Sequence, residues 1–167
     1  MKGYILTVSD KGSRGERLDA SGPALAEWLE ERGVRVQKVE VVPDEEERIA
    51  DRLRVWADTE DAEIILTTGG TGVSPRDVTP EATLQVVERV IPGFGELMRR
   101  KSLEKTPMAT LSRALAGIRK GSLIINLPGS PGGAVENLEA VWEAVPHAVA
   151  KIRGDQSDCV PSRHPTG

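Results

Sequence analysis

The sequence predicts an α/β domain in which helices cover both faces of a mostly parallel β-sheet. Two segments carry this prediction, because each places a short apolar run directly before a glycine-rich loop and a helix start. The first run is Ile64–Leu66, and the second lies at residues 122–127. Short runs of β-branched and aliphatic residues are typical of strands that are buried on both faces. A chain of 167 residues is long enough for one such three-layer α/β/α domain.

The remaining strands and helices follow from the spacing of apolar residues. Residues 4–8 and 34–42 predict two more strands, and residues 116–127 predict a hairpin that contributes one antiparallel strand. Helices are predicted at residues 21–32, 45–56, 79–91, 94–105, 106–115 and 135–145. We expect residues 1–154 to form the domain. Residues 155–167 are polar and lack periodicity, so we expect a C-terminal tail that is loose or lies against a neighbour.

Composition limits the classes of function. The formal net charge of −4 argues against nucleic acid as a partner, but it does not exclude a small anion bound by main-chain N–H groups. The only cysteine, Cys159, allows no internal disulfide and no zinc cluster, which favours a reducing cytoplasm. The sequence opens on a strand-like run instead of a signal peptide and has no apolar run of membrane-spanning length. We therefore expect a cytoplasmic protein that does not associate with a membrane.

The loop after the first apolar run has the features of an anion-binding site. Residues 67–72 read TTGGTG, and glycines leave the main-chain N–H groups open to a ligand. Thr79 and Pro80 follow as a capping hydroxyl and a proline at the first helical position, which predicts a helix start. The alternative is a tight turn without a ligand. A binding site is favoured because the loop is denser in polar residues than a turn requires: Thr67, Thr68, Thr71, Ser74, Arg76 and Asp77.

A second glycine-rich loop, at residues 128–133, repeats this arrangement. Because the carboxyl ends of parallel strands lie at one edge of a sheet, we expect the two loops to form one pocket. The polar segment Ser9–Gly15 is either part of that pocket or an ordinary exposed turn, and Asp44 is either a helix cap or a ligand group. Basic residues at 99–101 and 105 fit a solvated helix face better than an electrostatic funnel for a polyanion.

The residue types present favour phosphoryl-type transfer over other chemistries. Ser130 lies in Gly-Ser-Pro-Gly, which is not the nucleophile elbow of a serine hydrolase. The ligands of a zinc enzyme are lacking, and redox chemistry at Cys159 would be isolated. Asp44 and Asp77 are hard oxygen ligands, and carboxylates beside phosphates usually hold Mg²⁺. Transfer between phosphates needs positioning and neutralisation of charge more than covalent help, and these residues suffice for that.

Several motifs in a fixed order resemble one known family. They are SDKGSRGE at residues 9–16, VPDE at 42–45, TTGGTG at 67–72, RDVTPE at 76–81 and NLPGSPGGAVEN at 126–137. The chain resembles the molybdopterin adenylyltransferases of molybdenum-cofactor biosynthesis, the MogA/MoaB-like family. The resemblance extends from Tyr4 to about Arg153 and does not include the tail.

The resemblance implies an α/β/α domain, usually a homotrimer, that transfers AMP from ATP to the terminal phosphate of molybdopterin with Mg²⁺ and releases pyrophosphate. It implies that Asp44 and Asp77 are the essential aspartates, and we expect either or both to hold the metal. We expect the substrate-binding residues to be Ser9, Asp10, Thr68, Gly69, Gly70, Thr71, Gly72, Ser74, Pro128, Gly129, Ser130 and Pro131. The alternative is a non-catalytic member that binds pterin or serves as a trimeric scaffold. A molybdate-inserting enzyme could receive the adenylylated product.

Overall fold

The computed structural model of the chain describes residues 1–157, so most of the predicted tail, including Cys159, lies outside the described residues. Its strands are β1 (Lys2–Val8), β2 (Arg35–Val42), β3 (Ile64–Thr68), β4 (Arg89–Val90), β5 (Ala116–Arg119) and β6 (Ser122–Leu127). Its α-helices are α1 (Asp10–Ser13), α2 (Ser21–Glu30), α3 (Glu46–Asp58), α4 (Thr79–Val86), α5 (Pro92–Leu103), α6 (Pro131–Val141) and α7 (Val145–Ile152). Short 3₁₀ helices lie at Pro107–Leu111 and Trp142–Ala144.

The six strands form one sheet in the order β2-β1-β3-β6-β5-β4. Neighbours from β2 to β6 are parallel, whereas β5 pairs antiparallel with both β6 and β4. Only β5 therefore runs against the other strands of the described chain, as the predicted hairpin requires. In register, Thr7 of β1 lies beside Thr68 of β3, and Thr68 lies beside Leu127 of β6. The loops that follow these strands consequently start at the same edge of the sheet.

Helices cover both faces of the sheet, which confirms the three-layer α/β/α prediction. On one face, α2, α5, α6 and α7 bury apolar side chains against alternate strand residues such as Ile5 and Leu66. On the other face, α3 and α4 pack against the intervening residues, such as Leu6 and Ile65. Both sets are buried because successive strand side chains point to opposite faces. None of the described helices combines the length and apolar character needed to cross a lipid bilayer.

Three predicted helices differ from those observed. The helix predicted at residues 79–91 ends at Val86, because Val87 is extended and the next residues join the sheet as β4. There the main-chain N–H of Glu88 donates to Ile118, and that of Ile91 donates to Ala116. These bonds replace helical ones. Ile91 also precedes Pro92, and a residue before proline disfavours the helical conformation.

Proline also explains why the helix predicted at 135–145 is divided. Pro146 lies in the first turn of α7, and inside a continuous helix it would lose a hydrogen bond and clash with the carbonyl of Trp142. The chain instead passes through a 3₁₀ turn between α6 and α7. The predicted helix at 106–115 is a single 3₁₀ segment, Pro107–Leu111, capped by the hydroxyl of Thr106.

Candidate functional site

Loops from four parallel strands surround a cleft of about 540 Å³ at the carboxyl edge of the sheet. They follow β1, β2, β3 and β6. The cleft lining includes eight of the residues predicted from sequence: Ser9, Asp44, Thr68, Gly69, Gly70, Gly129, Ser130 and Pro131. The edge of an open α/β sheet is where such folds bind ligands.

The two glycine-rich loops touch each other at this cleft. We call residues 69–77 the first glycine loop and residues 128–133 the second glycine loop. A Cβ placed on Gly129 would lie 3.3 Å from the Cα of Gly69. The hydroxyl of Thr68 donates to the carbonyl of Pro128 at 2.7 Å, and the N–H of Gly69 donates to Leu127 at 3.1 Å. A ligand in the cleft can therefore contact both main chains.

The first glycine loop turns sharply at two glycines. Gly69 has φ +100° and Gly70 has φ +65°, conformations that other residues adopt only with strain. The buried hydroxyl of Thr79 donates to the carbonyl of Gly69 at 2.8 Å, and the N–H of Thr79 donates to Gly70 at 3.1 Å. The sequence predicts Thr79 to be a helix cap. In the structure the N-cap is Val78 and Thr79 is the first residue of α4, so the Thr79 hydroxyl anchors the loop and does not cap the helix.

Asp10 and Asp44 join the loops after β1 and β2. The N–H of Asp10 donates to a carboxylate oxygen of Asp44 at 2.7 Å, and the N–H of Asp44 donates to Asp10 at 3.0 Å. Arg76, from the first glycine loop, binds Asp10 with two guanidinium bonds of 2.9 and 2.8 Å. Three loops are thereby linked through one pair of carboxylates.

Their surroundings move the two pKa values in opposite directions. Burial raises the pKa of Asp44, and the negative charges of Asp10 and Asp77 raise it further, against the N–H donated by Asp10. Hydrogen bonding from Arg76 lowers the pKa of Asp10. Asp44 is thus a half-buried carboxyl group whose raised pKa is due mainly to burial, while the positive charge of Arg76 acts against it.

Asp77 lies near this pair but outside the lining of the cleft. One of its carboxylate oxygens accepts the N–H of Ser74 at 2.8 Å, and that oxygen would be 2.9 Å from a Cβ on Gly72. Within residues 1–157, no group of three or more His, Cys, Asp or Glu side chains is arranged to hold a metal ion.

A second cleft, of about 320 Å³, lies on the other side of Ser130. Its lining includes Thr71, Gly72 and Pro128 from the two glycine loops, together with Arg99 and Lys105. Of the basic cluster at 99–105, Lys101 pairs with Glu104 and Lys105 pairs with Glu136. Arg99 instead donates to the carbonyl of Ala114 at 2.8 Å, so the cluster is not a uniformly solvated helix face.

Two residues that support the second glycine loop were not predicted. The hydroxyl of Ser21 donates to the carbonyl of Gly129 at 2.7 Å. Asp19 accepts the N–H groups of Ser21 and Gly22 at 3.1 Å and the hydroxyl of Thr7 at 2.8 Å. An acidic residue two positions before Ser-Gly-Pro is a capping signal that was available in the sequence. Nothing local indicated that Ser21 would bond to Gly129, which lies 108 positions away.

Comparisons with known proteins agree with this geometry. Residues 4–147 match the family described as "Probable molybdopterin binding domain". The chain is 46% identical over 153 residues to the molybdopterin adenylyltransferase of Helicobacter pylori J99, covering 90% of this chain and 87% of the relative. It is 40% identical over 171 residues to the molybdopterin adenylyltransferase of Escherichia coli K12, covering 94% and 88%.

A solved structure shows the same architecture. The chain superposes on the crystal structure of the molybdopterin biosynthesis enzyme MoaB of Thermus thermophilus with a TM-score of 0.87 and 53% identity, covering 92% of this chain and 97% of that one. Because the family match spans most of the sequence and the relatives align over nearly their whole length, the chain belongs to the molybdopterin adenylyltransferase family of molybdenum-cofactor biosynthesis, a family of nucleotidyltransferases.

Proposed function

We propose that the protein transfers AMP from ATP to the terminal phosphate of molybdopterin and releases pyrophosphate. One observation carries the proposal: the two glycine loops touch at Gly69 and Gly129, in a cleft that also contains Asp44. Glycine main-chain N–H groups are accessible to phosphate oxygens because no side chain covers them. A carboxylate beside them can bind the metal ion that accompanies a nucleotide. The two clefts that share Ser130 offer adjacent places for two anionic substrates.

The reaction requires little covalent help from the protein. A terminal phosphate oxygen of molybdopterin attacks the α-phosphorus of ATP, and a new P–O bond forms. The bond from that phosphorus to the oxygen bridging the β-phosphate breaks, and pyrophosphate leaves with the electron pair. The attacking oxygen is already anionic, so no general base is needed. The protein has to hold two polyanions in line and offset their repulsion.

The acidic residues have the donor chemistry for a hard divalent cation. We propose that Asp44 and Asp77 hold Mg²⁺, because Asp44 lines the cleft beside the glycine loops and both side chains are hard oxygen donors. When bound, Mg²⁺ would neutralise phosphate charge in the transition state. Because the carboxylate of Asp10 is already bound by Arg76, Asp10 would act by fixing the loop that carries Asp44. The glycine loops would bind phosphate oxygens through main-chain N–H groups.

The test is pyrophosphate release from ATP by the purified protein with molybdopterin and Mg²⁺. Asp77→Asn and Asp44→Asn should each lower kcat at least about 100-fold. Each removes a carboxylate proposed to hold the Mg²⁺ that neutralises phosphate charge in the transition state. Asp51→Asn is the control, since Asp51 is exposed on α3 and pairs only with Arg54 among the described ion pairs. Full turnover in Asp77→Asn would remove Asp77 from the mechanism.

The same assay separates catalysis from the binding-only alternative. Molybdopterin binding measured by calorimetry, without pyrophosphate release from ATP in the wild-type protein, would indicate a pterin-binding or scaffold member of the family. We also propose a homotrimer, to be measured by sedimentation equilibrium, and delivery of the product to a molybdate-inserting enzyme. Release of the adenylylated product into solution, unchanged when such an enzyme is added, would contradict delivery.

A further inference from the structure

Arg113 reaches the first glycine loop from a distant part of the chain. Its guanidinium Nε donates to the carbonyl of Gly72 at 2.7 Å, and one Nη donates to the carbonyl of Asp77 at 2.6 Å. The other Nη pairs with the carboxylate of Glu81 in α4. The main-chain N–H of Arg113 donates to the carbonyl of Thr71 at 2.9 Å.

These acceptors lie at both ends of the segment 71–77. Thr71 and Gly72 begin the segment and Asp77 ends it, so a single side chain and its own N–H fix the distance between the two ends. A planar guanidinium donates from three nitrogens in fixed directions, whereas a lysine ammonium has all its N–H groups on one nitrogen. Hydrogen bonding to Arg113 also lowers the pKa of Glu81, which keeps that carboxylate charged as a fixed partner.

The middle of the segment has little other support. Val73, Ser74 and Arg76 are exposed. Its internal hydrogen bonds all involve Ser74: the N–H of Asp77 donates to its carbonyl at 2.9 Å, its own N–H donates to the Asp77 carboxylate at 2.8 Å, and the N–H of Arg76 donates to its hydroxyl at 3.4 Å. Arg76 adds its ion pair with Asp10 at the surface. The position of the Asp77 carboxylate therefore depends on where Arg113 holds the Asp77 main chain.

We infer that Arg113 is a positioning residue that fixes the segment 71–77 and thereby places the Asp77 carboxylate. All three guanidinium nitrogens of Arg113 already donate to Gly72, Asp77 and Glu81, so Arg113 acts through the segment it holds and not by touching a substrate. The kinetic part of this inference rests on the proposed function, whereas the structural part does not. A displacement of about 1 Å in a reacting group costs on the order of 100-fold in rate.

The test compares Arg113→Ala and Arg113→Lys with a matched control, Arg119→Ala. Arg119 also donates to several acceptors, to Asp58 at 2.8 and 2.6 Å and to the carbonyl of Val86 at 2.9 Å. It lies at the end of β5 beside Ser122, at the opposite edge of the sheet from the glycine loops. Replacing either arginine removes a similar number of hydrogen bonds, but only those of Arg113 reach the first glycine loop.

Hydrogen exchange provides a measurement that does not need turnover. In both Arg113 variants, the amides of Ser74 and Asp77 should exchange at least about tenfold faster than in the wild type, because the segment opens locally. In Arg119→Ala they should exchange at the wild-type rate. Unchanged exchange of these amides in Arg113→Ala, or equal acceleration in Arg119→Ala, would overturn the inference whether or not the protein transfers AMP.

Kinetics provide the second measurement. Both Arg113 variants should lose about 100-fold in kcat while KM for ATP changes less than about threefold, since ground-state binding is kept. Added guanidinium ion should restore part of the kcat of Arg113→Ala and none of the activity lost in Arg119→Ala. A wild-type protein without turnover would contradict the proposed function and leave the exchange result to decide the positioning role. Normal turnover in Arg113→Ala would contradict the positioning role alone.

Discussion

In the first glycine loop, Gly69 and Gly70 are required by backbone conformation as well as by space, whereas Gly129 and Gly133 of the second glycine loop are limited by space alone. Gly69 and Gly70 have positive φ, but no glycine at residues 128–133 does. In the second glycine loop the limits are steric: Gly129 lies against the Cα of Gly69, and a Cβ on Gly133 would be 2.6 Å from the hydroxyl of Ser130. Two segments of similar composition therefore depend on different physical properties of the same residue.

The loops also differ in what holds them. The first is held chiefly by the charged guanidinium of Arg113, together with the buried hydroxyl of Thr79. The second receives two short hydroxyl bonds, from Thr68 and Ser21, and begins and continues with prolines that limit its own conformations. Charge follows the same division, since residues 128–133 include no ionisable side chain and the first loop includes Arg76 and Asp77.

The largest expected effect on stability is that of Gly69→Ala. Its Cβ would lie 2.4 Å from the carbonyl oxygen of Val8, and φ is +100°, so both space and conformation oppose a side chain. We expect the free energy of unfolding to fall by about 3 kcal/mol or more in denaturant titration. Gly132→Ala is the control, because its Cβ would meet nothing within 4 Å and φ is not positive. That variant should match the wild type or gain up to about 1 kcal/mol.

An intermediate effect is expected for Gly129→Ala, which tests the second half of the comparison. The new Cβ would press on the main chain of Gly69 at 3.3 Å, which requires a shift of a few tenths of an ångström. We expect a loss of about 1–2 kcal/mol in the free energy of unfolding. We also expect kcat to fall by about tenfold, because the shift separates the two loops at the site. A stability loss as large as that of Gly69→Ala would show that the two loops do not differ in the way described.

The structural features that the sequence predicted are those that depend on residues close together in the chain. The strands before each glycine loop, the Thr79-Pro80 helix start and the β5–β6 hairpin follow from local patterns, and the order of motifs indicates the family. The sheet edge that brings Gly69 to Gly129 followed from the rule that parallel strands end together.

Contacts between distant residues could not be read in the same way. Arg113 is separated from Gly72 by 41 positions, and Arg76 is separated from Asp10 by 66. Arg76 was named among the polar residues of the first glycine loop, but nothing local indicated its partner, and Arg113 lies in no pattern that distinguishes it from a solvated surface residue. The end of α4 at Val86 was missed for a related reason, because the pairing of Glu88 with Ile118 in β5 competes with the helix and is not local.

The smallest expected effect is a change in pH dependence, confined to the charged loop. The proposed mechanism uses ionised carboxylates, and Arg76 lowers the pKa of both Asp10 and Asp44. In Arg76→Gln the positive charge is lost while a hydrogen-bond donor remains. The protonated forms become more favourable, both pKa values rise, and the acid limb of the kcat/KM profile moves to higher pH.

Arg54→Gln is the matched control, since Arg54 pairs with Asp51 on α3. The acid limb of the kcat/KM profile of this variant should coincide with that of the wild type. Because the second glycine loop has no ionisable side chain, Gly129→Ala should lower kcat/KM without moving the limb. A limb that stays in place in Arg76→Gln would mean that neither Asp10 nor Asp44 sets the acid dependence. The charge difference between the two loops would then have no consequence for catalysis, and only their conformational difference would remain.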